Sequence, residues 1–578
     1  MCSLLRLAWI YKQRVVCWNS PICRYINCNS CGVELQNTNA DKRGYYLIPK
    51  DKIKRDSIQD IKYLLFSQDI QNFHELHNQG IDTIENSITT AADVRNPLNS
   101  PLICKRCSDL LYQNKYDIND FKGVSLSSIL QKIPRHSRLV LMSPLNEFPF
   151  HIDKKLLLDK NYNPTLVLTK SDQIISKKFL LPTVLPKFFQ YFFKTNLDIK
   201  NSISIVGIST VKKWNIANLL SMLGKESYLV GNANVGKSTL INSLLKDYFG
   251  FKMHYDQKGK LTKPKNVDTI VDHNINSFLR SQRAGVSYVP NMTQAVQPYQ
   301  INNKIIYDMP GYSTLLHSDN SDSPECDQNL EILINKSWLQ RIRKTELTNY
   351  KRVKNKPYSS FSGTENGSVY TVGGIFYLKA PPNTINKITK YIPGEPKVFK
   401  NIDKALEVFQ TCLSSESSSP HPLSKYCGIL PTLCRKDAFV RHILPPFQGS
   451  IEIVIKDIGY ILLRPTGKYK YNGVYEIWVP KGIDVCIREP LEKILESYSE
   501  FLNQKKSSNY FSSQKRPLVS STYPMSFEEK EPLQRMKQMY IERTSHDLLN
   551  QRYIKEDPMT IVSHLHSIPP NLYWYYKW

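Results

Sequence analysis

Nine consecutive residues, Gly231-Asn232-Ala233-Asn234-Val235-Gly236-Lys237-Ser238-Thr239, have the types and spacing to hold a phosphate. They fit the pattern G-x-x-x-x-G-K-[ST], in which glycines let successive backbone N–H groups curl around an anion at a helix N-terminus. In such a loop Lys237 would reach the β- and γ-phosphates and Ser238 would hold Mg²⁺. Further on, Asp308-Met309-Pro310-Gly311 places a carboxylate and then a glycine turn after an apolar run. That is where a phosphate-loop enzyme keeps its Mg²⁺-linked acid and its γ-phosphate contact. A second chemistry is suggested by two C-x-x-C pairs, Cys28/Cys31 and Cys104/Cys107, among the chain's 12 cysteines. Four thiolates on two tight turns suit a closed, structural, tetrahedral Zn²⁺ site. Two unrelated pairs, or a redox motif, are the alternatives, although neither pair opens a thioredoxin-like unit.

These groups need elements to position them. Tyr228-Leu229-Val230 reads as a buried strand feeding the phosphate loop, and Leu240, Ile241, Leu244 and Leu245 follow at helical spacing. Leu139–Met142, Thr165–Leu168 and Ser202–Ile208 read as further strands, and Trp214 to Leu223 as an amphipathic helix. Strands alternating with helices imply a parallel sheet covered on both faces, with ligands at the carboxyl ends of its strands. The loops after Leu168, Ile208 and Val230 should therefore converge.

At 578 residues the chain is too long for one core. No uninterrupted apolar stretch approaches the roughly 18 residues of a membrane-spanning helix. The net charge of +26 points to a polyanionic partner, nucleic acid or an anionic membrane surface, or else serves solubility alone. Residues 1–25 carry Arg6, Lys12, Arg14 and Arg24 with no acid before Glu34, which resembles a mitochondrial transit peptide; a basic RNA-binding tail is the alternative. Ile61–Phe66 is an apolar stretch in polar surroundings, Gly250–Lys265 reads as an inserted basic loop, and Ser318–Asp327 as a Ser/Asp-rich loop. Trp338–Lys344 looks helical and Val369–Leu378 reads as strand around Gly373-Gly374. Ser414–Ser419 reads as a linker. From Gly449 the pattern turns to β, with a hairpin signal at Asn472-Gly473. A helix then opens at Pro490, and Lys505–Arg516 reads as a basic linker. The closing aromatics, Tyr573 to Trp578, could stack on bases or dock into the protein's own core.

Taken together, these motifs resemble circularly permuted GTPases of the YqeH type. The expected fold class is α/β, a Ras-like P-loop GTPase domain in permuted order. An N-terminal zinc finger precedes it and a β-rich α+β region follows. The expected boundaries are 1–25 for the leader, 26–125 for the finger with its insertion, 126–330 for the GTPase domain and 331–578 for the C-terminal region. The resemblance implies that Thr169-Lys170-Ser171-Asp172 stands for the family's N-K-x-D and Ser209-Thr210 for its S-A, both reading guanine. Gly231, Asn234, Gly236, Lys237, Ser238 and Thr239 would bind phosphates. Thr293, closing Pro290-Asn291-Met292-Thr293, would be the switch threonine and a Mg²⁺ ligand beside Ser238 and Asp308. Lys237, Thr293 and Gly311 would carry hydrolysis, and Asn234 matches an asparagine that helps hold K⁺ in related enzymes.

Four departures from the family pattern matter. Thr169 replaces the asparagine and Thr210 the alanine, which weakens the contacts to the base, while the switch lacks its glycine and Tyr312 stands where a Ras-type enzyme has its water-orienting glutamine, which slows intrinsic hydrolysis. The expected cofactors are GTP or GDP, Mg²⁺ and structural Zn²⁺. The resemblance implies an assembly factor in the mitochondrial matrix that holds small-subunit rRNA or a pre-ribosomal particle, ribosomal proteins included, and hydrolyses GTP slowly. The alternatives are a GTP-dependent scaffold that does not hydrolyse, and an RNA-binding protein with a vestigial G domain.

Overall fold

A computed structural model describes residues 27–46, 102–113, 115–116, 120, 123–199, 203–253, 283–287, 289–301, 303–312, 359–362, 368–382, 384–392, 396–414, 434–466, 473–503, 517–544 and 571–578. The expected leader, Ile61–Phe66, most of the Gly250–Lys265 loop, Ser318–Asp327, Trp338–Lys344, Asn472 of the hairpin signal, most of the Ser414–Ser419 linker and Lys505–Arg516 lie outside them.

The main elements run in this order: β1 (Arg138–Pro144), β2 (Asn163–Thr169), α1 (Leu180–Asn196), β3 (Ser204–Gly207), α2 (Ile216–Met222), β4 (Glu226–Val230), α3 (Lys237–Met253), β5 (Gln297–Ile301) and β6 (Lys304–Asp308). After them come β7 (Ser359–Ser362), β8 (Val369–Val372), β9 (Tyr377–Lys379), β10 (Ile385–Lys390), β11 (Pro396–Phe399), α4 (Ile402–Ser414), β12 (Phe439–Ile443), β13 (Ile451–Ile455), β14 (Gly459–Thr466), β15 (Glu476–Pro480), β16 (Val485–Arg488), α5 (Leu491–Leu502), β17 (Val519–Ser521), β18 (Tyr523–Met525) and α6 (Pro532–Arg543). The fold is mixed α/β. The phosphate-loop helix α3 continues to Met253, so the first residues of the expected inserted loop are helical. No described helix is long and apolar enough to cross a membrane.

The chain divides into two compact units, one of residues 1–124 and 238–311, the other of 125–237 and 312–578. In the first, β5 and β6 form an antiparallel hairpin with Gln297 opposite Asp308. In the second, β1, β2, β3 and β4 make parallel pairs in the order β3-β2-β1-β4. Leu139, Val140, Leu141, Leu166, Val167 and Leu168 are all buried, as befits strands of a parallel sheet with both faces covered. Helix α1 follows β2 and carries Leu181, Val184, Leu185, Phe188, Phe189, Phe192 and Phe193, all buried, at the i, i+3, i+4 spacing of one apolar stripe.

Beyond residue 358 the same unit forms two antiparallel six-stranded sheets, ordered β17-β16-β13-β14-β10-β7 and β11-β8-β9-β15-β12-β18. Helix α4 packs Ala405, Leu406 and Phe409 on Tyr377, Phe439 and Trp478 of the second sheet. Helix α5 lies against α1, with the Tyr498 ring 5.6 Å from Phe188 and 5.7 Å from Tyr191. The closing aromatics dock inward: Tyr573 and Trp574 are buried, and Trp578 packs 5.4 Å from Phe192 and 6.0 Å from Phe148. Tyr573 packs with Ile443, Tyr523, Met536 and Tyr540, and Trp574 donates its indole N–H to the Pro446 carbonyl, so these two rings dock in the protein's own core, while Trp578 rests half-buried on the stripe of α1.

One buried side chain ties the later strands to the earlier sheet. Arg488 ends β16 with its side chain 1% exposed. Its Nε donates to Glu452 Oε2 at 2.6 Å, and its two Nη groups donate to the carbonyls of Leu145, Asn146 and Phe148, just after β1. The Tyr460 ring covers one face of the guanidinium at 5.4 Å. Arg488→Met should therefore destabilise the unit by about 3–5 kcal/mol, because it leaves the Glu452 carboxylate buried without its cation. Urea unfolding of the variant beside Arg488→Met/Glu452→Gln, which should recover part of the loss, checks this.

Candidate functional site

The strand order sets the loops. β2 and β4 flank β1, so the segments that leave their carboxyl ends are neighbours. Thr169, the last residue of β2, donates its hydroxyl to the Val235 carbonyl of the phosphate loop at 2.7 Å. A threonine in place of asparagine thus spends its single donor on the loop that would hold phosphate. Lys170 adopts a left-handed conformation (φ 53°) and opens the short turn Ser171–Gln173, in which Asp172 is buried. Ser171 N donates to Ile208 O at 3.1 Å, which brings Ser209 and Thr210 beside that turn. The Ser209 side chain accepts from Lys212 N at 3.0 Å.

In the phosphate loop, Gly231 packs so tightly that a Cβ there would stand 2.6 Å from the Met142 carbonyl, so no larger residue fits. Asn234 takes φ 59°, a conformation asparagine tolerates better than most residues. Lys237 is buried and its ammonium donates to the carbonyls of Gly231 and Asn232, both at 2.8 Å. Tyr312 bridges Asn232 through its backbone while its ring is buried. The ring lines a cavity of ≈ 10 Å³ with Leu141, Met142, His151, Asp153 and Val230, and burial pushes its phenol pKa up.

The first unit gathers the hydroxyls and the carboxylate proposed for Mg²⁺. Ser238 Oγ donates to Asp308 Oδ2 at 2.7 Å, Thr293 Oγ1 donates to the same oxygen at 3.4 Å, and the two hydroxyls lie 3.4 Å apart. Asp308 is fully buried, and Gly311 is buried three residues on. Asn242 of α3 makes a two-bond amide pair with the Ala284 backbone at 3.0 and 2.8 Å, which anchors the segment leading to Thr293.

In the same unit Cys28, Cys31, Cys104 and Cys107 are buried with their sulfurs within 4.8 Å of one another. The Cys31 and Cys104 sulfurs are 3.9 Å apart. Four sulfurs bound about 2.3 Å from one tetrahedral ion stand roughly 3.8 Å apart, so this cluster can hold a metal ion. Hydrogen bonding from Cys104 and Cys107 holds the Cys28 and Cys31 thiols well below the usual range, and Cys104 N–H donates to Cys28 Sγ at 3.3 Å.

The first cysteine turn also grips the Thr293 segment. Gln294 N and Ala295 N donate to the Cys31 carbonyl at 2.9 and 3.1 Å, and Gln297 Nε2 donates to the Cys28 carbonyl at 3.2 Å. Gly32, at φ 78°, lies against this segment: a Cβ there would meet the Gln297 side chain at 2.9 Å and the Ala295 carbonyl at 3.0 Å. None of these contacts was legible in the sequence, because backbone acceptors have no residue signature.

A charged cluster, buried at Glu147 and exposed at Asp457, carried no signal in the sequence. Glu147, His151 and Asp457 bring their ligand atoms within 4.8 Å of one another. Burial opposes ionisation of Glu147, but Lys170, His151 and the Asp457 N–H outweigh it and hold the carboxyl at about 2. Burial also disfavours charged His151, yet Asp457 and Glu147 prevail and raise its pKa.

Comparison with known proteins gives the class first. Residues 226–359 match the family model described as 50S ribosome-binding GTPase, so the chain carries a GTPase domain. Residues 27–121 and 356–564 match the N- and C-terminal domain models of genetic interactor of prohibitins 3, and the chain belongs to that family. It is 44% identical over 564 residues to "Genetic interactor of prohibitins 3, mitochondrial" of Zygosaccharomyces rouxii, covering 97% of this chain and 95% of the relative. The Vanderwaltozyma polyspora protein of the same name is 44% identical over 579 residues, 100% of each. The Saccharomyces cerevisiae one is 45% identical over 560 residues, 96% of each. Among solved structures, GNP-bound YlqF from T. maritima matches 40% of this chain and 76% of its own at 17% identity with a TM-score of 0.18, too slight to bear on the fold.

The cluster around His151 makes stability depend on pH. A histidine raised in the folded state contributes fully below its ordinary 6.5 and loses that contribution as pH rises through the folded value. Glu147, depressed from 4.5 to about 2, contributes above 4.5 and loses it as pH falls toward 2. Thermal unfolding should show Tm falling as pH rises above 6.5, and His151→Gln should flatten that alkaline fall while leaving the acid limb in place.

Proposed function

We propose that the chain is a GTP-binding, slowly hydrolysing assembly factor of the mitochondrial matrix, acting on the small ribosomal subunit. The observation that carries this reading is the Thr169 Oγ1–Val235 O bond, which joins the segment ending in Asp172 to the phosphate loop. A carboxylate at Asp172 accepts from the N1–H and N2–H₂ of guanine, donors that adenine lacks in that arrangement. Thr169, Lys170, Asp172, Ser209 and Thr210 would then read the base. Gly231, Asn234, Gly236, Lys237 and Thr239 would bind phosphates, and Ser238, Thr293 and Asp308 would hold Mg²⁺. On this reading the base-reading segments precede the phosphate loop in the chain, which makes the domain, residues 126–330, circularly permuted.

The cysteine cluster fits Zn²⁺ by donor chemistry, so residues 26–125 would form a zinc finger whose role is to brace the Thr293 segment. Residues 331–578, with the chain's net charge of +26, would hold rRNA or the particle. The mitochondrial location rests on the names of the relatives and the basic residues 1–25, and the small subunit on the resemblance to the YqeH type. In the GTP state Thr293 and Gly311 would order around the γ-phosphate, and hydrolysis would release the RNA.

A second reading, a GTP-dependent scaffold with little turnover, is favoured by the inward burial of Tyr312, which leaves that position without a water-orienting side chain. Calorimetry should show GDP and GTP binding to the full-length chain, and Lys237→Ala should weaken both at least tenfold. Unchanged affinity would refute the site. Single-turnover hydrolysis in K⁺ and in Na⁺, with and without pre-ribosomal RNA, separates the readings: acceleration supports the switch and none supports the scaffold. RNA crosslinked to the protein in mitochondria should map to the small-subunit rRNA. Extraction of metal by a chelator should raise deuterium uptake at 291–297 without nucleotide present.

A further inference from the structure

We propose that Glu147, His151, Asp457 and Tyr460 are positioning residues through which the β13–β14 turn sets the loop Lys170–Gln173, and so the discrimination of guanine. This rests on the assignment of that loop to the base. The loop is held at both ends by groups that come from, or are braced by, this one hairpin. At its start, Lys170 Nζ lies 3.6 Å from Glu147 Oε1. The other carboxylate oxygen, Oε2, receives His151 Nε2 at 3.0 Å and the backbone N–H of Asp457 at 3.1 Å. Asp457 Oδ1 stands 3.4 Å from the same histidine nitrogen. At the loop's end, Tyr460 donates its hydroxyl to the Gln173 carbonyl at 2.9 Å, and Asn146 Nδ2 donates to Gln173 Oε1 at 2.8 Å.

The backbone supplies an independent sign. Lys170, His151 and Asp457 take φ of 53°, 66° and 62°; histidine and aspartate enter this left-handed region fairly readily, but for a lysine it is uncommon. Such outliers gather at sites whose geometry is under functional constraint. A metal ion is a poor occupant here, because the Lys170 ammonium already neutralises Glu147, and Lys456 adds a second positive charge beside His151 and Asp457. The cluster therefore works as a chain of charge contacts from a C-terminal hairpin to the loop that would face the base. Whatever shifts the β13–β14 turn would be felt at Lys170.

The test uses the full-length chain with Glu147→Gln, and with Tyr460→Phe, which removes one hydroxyl and keeps the ring. Two readouts are needed: deuterium uptake of the 169–175 segment in nucleotide-free protein, and affinity for GDP against IDP, which lacks the N2 amino group. Both variants should raise uptake at 169–175 and shrink the GDP/IDP affinity ratio about fivefold or more, with unfolding temperature checked in parallel. A purely structural role would lower both affinities together and leave the ratio unchanged, and that result overturns the proposal. If the wild-type chain binds no GDP, the guanine assignment fails. In that case loosened exchange at 169–175 would still uphold the mechanical link, and unchanged exchange would overturn it.

Discussion

Three carbonyl groups, those of Leu145, Asn146 and Phe148, turn inward just after the central strand β1, where water cannot reach them freely. A planar guanidinium offers five N–H donors in a fixed fork, and Arg488 uses that fork to satisfy all three carbonyls and Glu452 at once. Much of the second unit depends on this solution. It fixes the β1 exit, from which Asn146 and Glu147 reach toward the loop at Lys170–Gln173. It also fixes β16 and β13 beside that exit, and so the turn that carries Asp457. A lysine could not substitute, since one ammonium cannot meet four acceptors spread over a plane.

The phosphate-loop pattern at Gly231–Ser238 stands out in the sequence because its chemistry is local, two glycines, a lysine and a serine within eight residues, and it falls inside the segment that matches a GTPase family model. The strands of the parallel sheet were legible for a related reason, since burial on both faces leaves continuous apolar runs such as Leu139–Met142. Helix α1 was not singled out. Pro182 and Pro186 punctuate it, and they mask a stripe of leucines and phenylalanines that is regular once the helix is drawn. The reading of Thr169–Asp172 as a base-reading segment rests on resemblance alone. What the fold adds is a partner for the threonine, the Val235 carbonyl, which no sequence pattern could name. The Glu147–His151–Asp457 cluster was beyond reach of the sequence, because Glu147 and Asp457 stand 310 positions apart and neither carries a signal of its own.

In the first unit one short turn serves two purposes. Cys28 to Gly32 directs its sulfurs inward and its carbonyls toward residues 294–297. The same backbone that holds the thiols in register therefore also holds the approach to Thr293. The two tasks are separable in chemistry but not in geometry. A change in the spacing of the cysteines would displace the carbonyls as well.

The Arg488 contacts also impose an order in time. Residue 488 follows Leu145 by 343 positions, so at synthesis rates of about 5–20 residues per second the guanidinium emerges roughly tens of seconds after the carbonyls it will satisfy. During that interval the β1 exit must keep its polar backbone hydrated, and the apolar stripe of α1 lacks α5 and Trp578 as cover. Contacts of such sequence separation slow folding, because the intervening chain must be ordered before they reward it. Burial of the α1 stripe therefore waits on elements near the end of the chain, α5 and Trp578.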